Sequence, residues 1–370
     1  MTLMTSPTAD ERRDALAARL FEATLGSFEL LSVYLGDRLG LYAALREHGP
    51  STAEELAANA RIDARYAREW LEQQAVASFL DVDSVEVGAE DRRYSLPDGH
   101  AEVVLEPDDV ALMAPMARFV VGAAQAMPLL FRAYRSGEGV AWSDYGHDVV
   151  EAQSAINRPQ FGTHVATSWI PAMVDIDARL RSVAGARVAD VGCGTGWSTI
   201  AIARGYPAAL VDGLDLDAGS IDQANATLEE IGDELAGRVT FAARDAADPA
   251  LAGRYDLVTI FEALHDMAQP VPVLRAVREL LAPGGAVLVA DEKVAETFTA
   301  PGDEIERLMY GYSIVMCLPN GLADRPSVGT GTVLRPAAIE QMASEAGFAR
   351  TTILPIEHDT FRFYRLDPGD

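Results

Sequence analysis

The chain has 370 residues, of which 49% are hydrophobic and 23% charged, and its formal net charge is −26. That length exceeds a single ordinary core and predicts two domains. The acidic balance opposes nucleic acid and anionic lipid, leaving small molecules as the expected partners.

No apolar run reaches the roughly eighteen residues that span a bilayer, so no membrane partner is expected. The opening Met1-Thr-Leu-Met-Thr-Ser-Pro-Thr-Ala-Asp10 lacks a basic segment followed by an apolar one, which predicts a cytoplasmic protein. Cys193 and Cys317 lie far apart, with no His or Cys near them at ligand spacing, so neither a disulfide framework nor a metal site is expected.

Residues 10 to 48 read as helices, because Leu16, Leu20, Phe21, Leu25, Phe28 and Leu31 recur at three- and four-residue steps and Gly40 and Gly49-Pro50 punctuate the end. Ser51-Thr-Ala-Glu54 reads as a capping box, Asp63 as the cap of the next helix, and Phe79-Leu-Asp-Val82 and Arg93-Tyr-Ser-Leu96 as short strands. Together these make a helix-turn-helix with a wing over residues 1–100. Ten arginines, no lysine and eighteen acids leave that stretch at −8, against the basic face a DNA reader needs. A dimerisation and lid module is the expected role, with the chain pairing as a homodimer through it.

Residues 101–165 read as a helical linker rich in Met and aromatic side chains, which pack cores and also line pockets for flat apolar molecules. Phe131, Tyr145 and Arg158 are candidate substrate contacts here, with Asn157-Arg158-Pro159 expected to break the helical pattern.

Residues 166–370 form the expected catalytic domain, and from 186 onward strand and helix signals alternate, which predicts a parallel sheet covered on both faces. Its key stretch is Arg187-Val-Ala-Asp-Val-Gly-Cys-Gly-Thr-Gly-Trp-Ser-Thr199. Val188, Ala189 and Val191 suit a buried strand, and Asp190 interrupts it at the carboxyl end, where ligands sit. Gly192, Gly194 and Gly196 supply a turn whose backbone N–H groups can approach a ligand. Trp197 stands where a dinucleotide fingerprint wants its third glycine, which counts against a NAD-dependent oxidoreductase. Asp215, 23 residues beyond Gly192, is placed to take ribose hydroxyls, while Asp217 reads as a helix cap.

This stretch resembles the first motif of the class I S-adenosylmethionine (SAM) dependent methyltransferases. The resemblance implies an α/β fold, a Rossmann-like seven-stranded methyltransferase sheet, with SAM as cofactor and S-adenosylhomocysteine as product. It implies that Asp190 and the loop of Gly192, Gly194, Thr195 and Gly196 hold the methionine end, that Leu216 packs on the adenine, and that Asp245 faces its amino group. Ala246, Phe261 and Glu262 fall beside the same cofactor.

Leu264-His265-Asp266 resembles the Leu-His-Asp segment of plant-type O-methyltransferases, which implies His265 as base, beside Asp266. Asp291 or Glu292, after the fifth strand, occupies the place of the acid that orients that histidine. The family's second orienting acid has no match in Gly331-Thr-Val-Leu-Arg335. Many such enzymes carry an amino-terminal winged helix. The expected activity is methyl transfer to a small, largely apolar acceptor, at oxygen first and at carbon or nitrogen next, in secondary metabolism. A SAM-sensing regulator is the alternative in which the winged helix reads DNA.

The long insertion at 291–334 reads as a lid with an amphipathic stretch from Ile305 to Cys317, and it contributes Met309, Tyr310 and Ser313 as candidate substrate contacts. His147, His164 and His358 read as ordinary surface or loop histidines. Thr352–Ile356 and Phe361–Arg365 read as an edge hairpin.

Overall fold

The computed structural model describes residues 7–369. The chain divides into two compact units, the first ending at Val121 and the second beginning at Gly122. No helix among the described residues is long and apolar enough to cross a membrane.

The first unit runs through α1 (Ala9–Arg38), α2 (Leu41–His48), α3 (Ala53–Ala60), α4 (Ala64–Val76), the antiparallel pair β1 (Asp81–Val82) and β2 (Tyr94–Ser95), and α5 (His100–Val104). Gly40 ends α1 in a left-handed conformation. The capping box before α3 lies one residue later than the sequence pattern placed it, on Thr52 and Glu55, because Ser51 is drawn into an extended bridge with Tyr94. Asp63 caps α4 as its position predicts. The core gathers Leu41, Tyr42, Leu45, Leu56, Trp70 and Leu71, and Tyr42 meets Trp70 edge to face at 5.2 Å. The apolar stripe of α1 does not join it. Phe21 and Phe28 are 62% and 66% exposed.

The helix α6 (Pro115–Ser136) carries the chain across the division, and α7 (His147–His164) follows. Contrary to the sequence expectation, Pro159 does not break α7. The missing N–H costs one helix bond, and the burial of Val149, Ala152 and Phe161 along the same helix outweighs that local cost.

After α8 (Val174–Ser182) come β3 (Arg187–Val191), α9 (Trp197–Gly205), β4 (Leu210–Asp215), α10 (Ala218–Ile231), β5 (Val239–Ala243), β6 (Tyr255–Phe261), α11 (Pro270–Leu280) and β7 (Leu281–Glu292). The segment after β7 holds α12 (Glu304–Tyr312) and α13 (Leu318–Gly321) around a wide turn at Ser313–Cys317. The chain closes with α14 (Pro336–Ala346), β8 (Arg350–Ile353) and β9 (Phe361–Asp367).

Seven strands form one sheet in the order β5-β4-β3-β6-β7-β9-β8, parallel except for β9, which is antiparallel to both its neighbours. Alternation along the strands separates two cores. Val188, Leu257 and Leu288 face the layer of α7, α9 and Trp169, whereas Ala189, Val258 and Val289 face α11 and α14. This is the reason β3 and β6 read as continuous apolar runs.

Two of the histidines read as surface or loop residues pack against aromatic rings. His164 stacks on Trp169 at 6.2 Å, and His358 lies 4.7 Å from Phe361. The Nδ1 of His358 accepts the backbone N–H groups of Thr360 and Phe361, and burial pulls its pKa down to about 4. A histidine that resists protonation when folded destabilises the fold as pH falls from its ordinary value of 6.5 toward 4. Urea titrations over that interval should show stability falling with pH, and His358→Gln should flatten the dependence.

Candidate active site

All the candidate chemistry lies where parallel strands end. In the turn after β3, Gly192, Gly194 and Gly196 have φ of 73°, 52° and 87°. A Cβ on Gly192 would stand 2.6 Å from that of Ala263, and one on Gly196 2.5 Å from the ring of Phe241, so these two close the loop onto the sheet. A Cβ on Gly194 would meet nothing within 4 Å. That residue faces open space. Gly192→Ala should lower the melting temperature on the order of 2–8 °C, from the left-handed backbone and the contact with Ala263 together; scanning calorimetry reads it.

The three acids expected to converge on one ligand differ in burial and partners. Asp190 is 1% exposed, and both its oxygens are occupied: Ser198 and Thr199 donate their hydroxyls to Oδ2 at 2.5 and 2.7 Å, and Thr259 donates to Oδ1 at 2.7 Å. Thr259 is its direct neighbour in the β3–β6 register. Burial raises the pKa of Asp190 against those hydroxyls. It braces the loop and the first turn of α9 from inside.

Asp215 is half-buried at the tip of β4, where Oδ2 accepts the Gly194 N–H at 2.8 Å and Oδ1 the Asp217 N–H at 2.9 Å. Its carboxylate is thereby tied to the open residue of the glycine loop. Asp217 caps α10 through Ser220. Leu216 is 73% exposed, an apolar side chain presented beside Asp215. Asp245 is exposed and accepts the Ala247 N–H at 2.9 Å, with Ala246 buried beneath. The ring of Phe261 packs with Phe161 and Trp169 in the core, so like Asp190 it is turned inward.

Thr195 and the indole N–H of Trp197 both donate to Ser154 Oγ on α7, at 2.9 and 3.0 Å, and Arg158 stacks over Trp197 at 4.7 Å. The helix that the sequence placed in a linker thus clamps the glycine loop. Gln153, on the same helix, donates to Glu262 Oε2 at 2.8 Å.

His265 is 3% exposed and sits on the short turn Leu264–Asp266 after β6. Its Nδ1 meets Asp291 Oδ1 at 3.0 Å and its Nε2 faces Asp266 Oδ1 at 3.6 Å. Burial pushes the imidazole pKa down, but the carboxylates of Asp291 and Asp266 override it and hold it well above the usual histidine value. Of the two acids offered for orienting the histidine, Asp291 is the one that contacts its Nδ1, and Glu292 follows it on the strand.

Cys317 lies closer to ligand-capable groups than its sequence spacing suggests. The lid brings it to His265 and Asp266, the ligand-capable atoms of all three lying within 4.8 Å of one another, and burial pushes its thiol up to about 11. The approach depends on the turn at Ser313–Cys317 and has no sequence spacing to reveal it. Thr332, 1% exposed, lies in the segment where no acid was found.

Of the remaining substrate candidates, Tyr145, Met309 and Ser313 are buried. The Tyr145 hydroxyl reaches Met316 O at 3.4 Å, Tyr310 is 38% exposed, and Phe131 is 63% exposed on α6.

The strand order, the glycine turn and the acids at the strand tips define the class I methyltransferase fold. The chain carries a methyltransferase domain, matched over residues 189–287, preceded by an Rv2258c-like winged HTH domain, matched over residues 27–105. The mitomycin 7-O-methyltransferase MmcR shares its fold with a TM-score of 0.66 at 19% identity, over 96% of this chain and 98% of that one. Human N-acetylserotonin methyltransferase in complex with SAM gives 0.66 at 19% identity over 100% of both. In sequence, the chain is 29% identical over 177 residues to a ubiquinone biosynthesis O-methyltransferase of Psychrobacter arcticus, covering 48% of this chain and 64% of that protein. It is 39% identical over 116 residues to the Marinobacter nauticus protein of the same name, covering 31% and 47%. The chain thus spans less than two thirds of the length of these relatives.

Proposed function

We propose that the protein binds SAM and transfers its methyl group to a small organic acceptor, most readily at oxygen. The observation that carries this is the Asp215 carboxylate hydrogen-bonded to the Gly194 N–H beside an open glycine turn. The residues fit the cofactor. Asp215 can accept ribose hydroxyls, exposed Leu216 offers an apolar face to a purine, Asp245 is exposed at the next strand tip, and the loop of Gly194 and Thr195 offers backbone groups to the methionine end. Asp190 serves this site as a positioning residue rather than as a ligand. Bound SAM supplies an electrophilic methyl on a sulfonium, so the chain has only to align an acceptor and remove its proton.

His265 is the group for that proton. Asp291 on Nδ1 fixes the tautomer that leaves Nε2, beside Asp266, to take the proton, and Asp266 and Asp291 stabilise the imidazolium that forms. The same Nε2 would be a ligand if His265, Asp266 and Cys317 held a metal ion. Turnover is therefore expected to survive dialysis against EDTA unchanged. Loss of activity restored by Zn²⁺ would replace the base with a metal.

We further propose a homodimer built on the first unit, supported by the exposed apolar stripe of α1. Phe21→Glu combined with Phe28→Glu should convert a dimer to a monomer in analytical ultracentrifugation. The winged helix is assigned no nucleic acid. Arg65 and Arg68 on α4 are each paired with an acid one turn on, Glu69 and Glu72, which leaves no basic face. A gel shift on genomic DNA at low salt should show no complex. Two free thiols suit a reducing, cytoplasmic compartment.

A further inference from the structure

The carboxyl ends of β6 and β7 hold two glutamates that the methyl-transfer reading does not use. The strands are parallel neighbours with Phe261 opposite Ala290, and the Glu262 N–H donates to Ala290 O at 2.9 Å. Glu262 and Glu292 therefore leave adjacent strand tips. Glu292 is 8% exposed, and its Oε2 is buried without a hydrogen-bond partner. Asp291, 0% exposed, likewise has Oδ2 unpartnered. Glu262 is held by Gln153 and pushed up to about 7 by burial, and burial and the neighbouring Glu262 push Glu292 up as well.

Glu292 Oε2 and Asp291 Oδ2 are thus left without a donor, and the cation beside them, His265, is engaged by Asp291 and Asp266. A buried carboxylate oxygen with no donor is unfavourable unless a ligand supplies one. For Glu292 the donor belongs to the acceptor rather than to the cofactor, because β7 lies two strands beyond β3, roughly 10 Å from the glycine turn and on the side away from Asp215 and Asp245, whereas Glu262 leaves β6, next to β3, and stands between the two. The donor is also not a small ion. The ligand-capable atoms that converge within 4.8 Å are those of His265, Asp266 and Cys317, and neither glutamate is among them. An ammonium, with three donors spread in space, suits dispersed carboxylates better.

We propose that Glu262 and Glu292 bind a protonated amine of the acceptor, so that the substrates are amine-bearing molecules such as aminoalkyl phenols. This rests on the methyltransferase reading. Calorimetry on protein saturated with S-adenosylhomocysteine would compare matched probes: tyramine with 4-ethylphenol, dopamine with 4-ethylcatechol, and benzylamine with benzyl alcohol. At least one amine should bind tenfold or more tightly than its neutral partner, with a heat that depends on the buffer's ionisation enthalpy as the glutamates release a proton. Glu292→Gln should reduce that margin below twofold while leaving S-adenosylhomocysteine affinity unchanged. Equal or better binding of every neutral partner, or a margin that survives both Glu292→Gln and Glu262→Gln, would overturn the proposal. So would Zn²⁺ binding lost in Glu292→Gln without any preference for amines. Failure of the wild type to bind S-adenosylhomocysteine, measured on the same samples, would instead remove the methyltransferase reading itself.

Discussion

Asp215→Ala is expected to weaken S-adenosylhomocysteine binding at least about tenfold, on the order of 1.4 kcal/mol, by isothermal calorimetry. The substitution removes two things together. One is the acceptor for ribose hydroxyls. The other is the hydrogen bond to the Gly194 N–H that fixes the open turn of the glycine loop. Asp215→Asn separates them, since its amide oxygen can still accept from Gly194 while the charge is lost, and it should fall between wild type and alanine. Folding should be little affected, because the carboxylate is half-buried and raised in pKa by that burial, so its charge contributes no net stability to the fold. An alanine variant that bound normally would remove Asp215 from the cofactor site.

His265→Ala should lower kcat by roughly 10²–10⁴-fold, the usual range for loss of a general base, with S-adenosylhomocysteine affinity nearly unchanged. The pH profile gives a second and more specific readout. Asp291 and Asp266 keep the imidazole charged above the ordinary histidine value, so kcat/KM should climb with pH along a limb centred above 6.5. Asp291→Asn removes a carboxylate that favours the imidazolium, and the limb should move to lower pH. Glu262, Glu292 and Cys317 also face His265. A limb that stayed in place in Asp291→Asn would assign the titration to another group.

Much of this was readable in the chain. The strand runs, the glycine turn, the acids at the tips of β3, β4 and β5, and the Leu-His-Asp turn all sit within short local patterns whose spacing follows strand length. The limits are equally physical. Asp190 looked like a ligand because a carboxylate in an apolar strand needs partners, but Ser198, Thr199 and Thr259 supply them from inside, and Thr259 becomes its neighbour only through sheet register. Cys317 stands 52 positions from His265 in the sequence and reaches it through a turn inside the lid. Gln153 and Ser154 come from a helix whose Pro159 read as a break. The stripe of α1 has helical period, yet periodicity alone does not say whether a face is covered by its own chain or by another.

A diffraction structure of the protein with S-adenosylhomocysteine tests the central assignment most directly. The account predicts the ribose on Asp215, the homocysteine end on the turn of Gly194 and Thr195, and the sulfur directed toward His265. Density for the ligand in any other cavity, with Asp215 still turned only to Gly194 and Asp217, would contradict it.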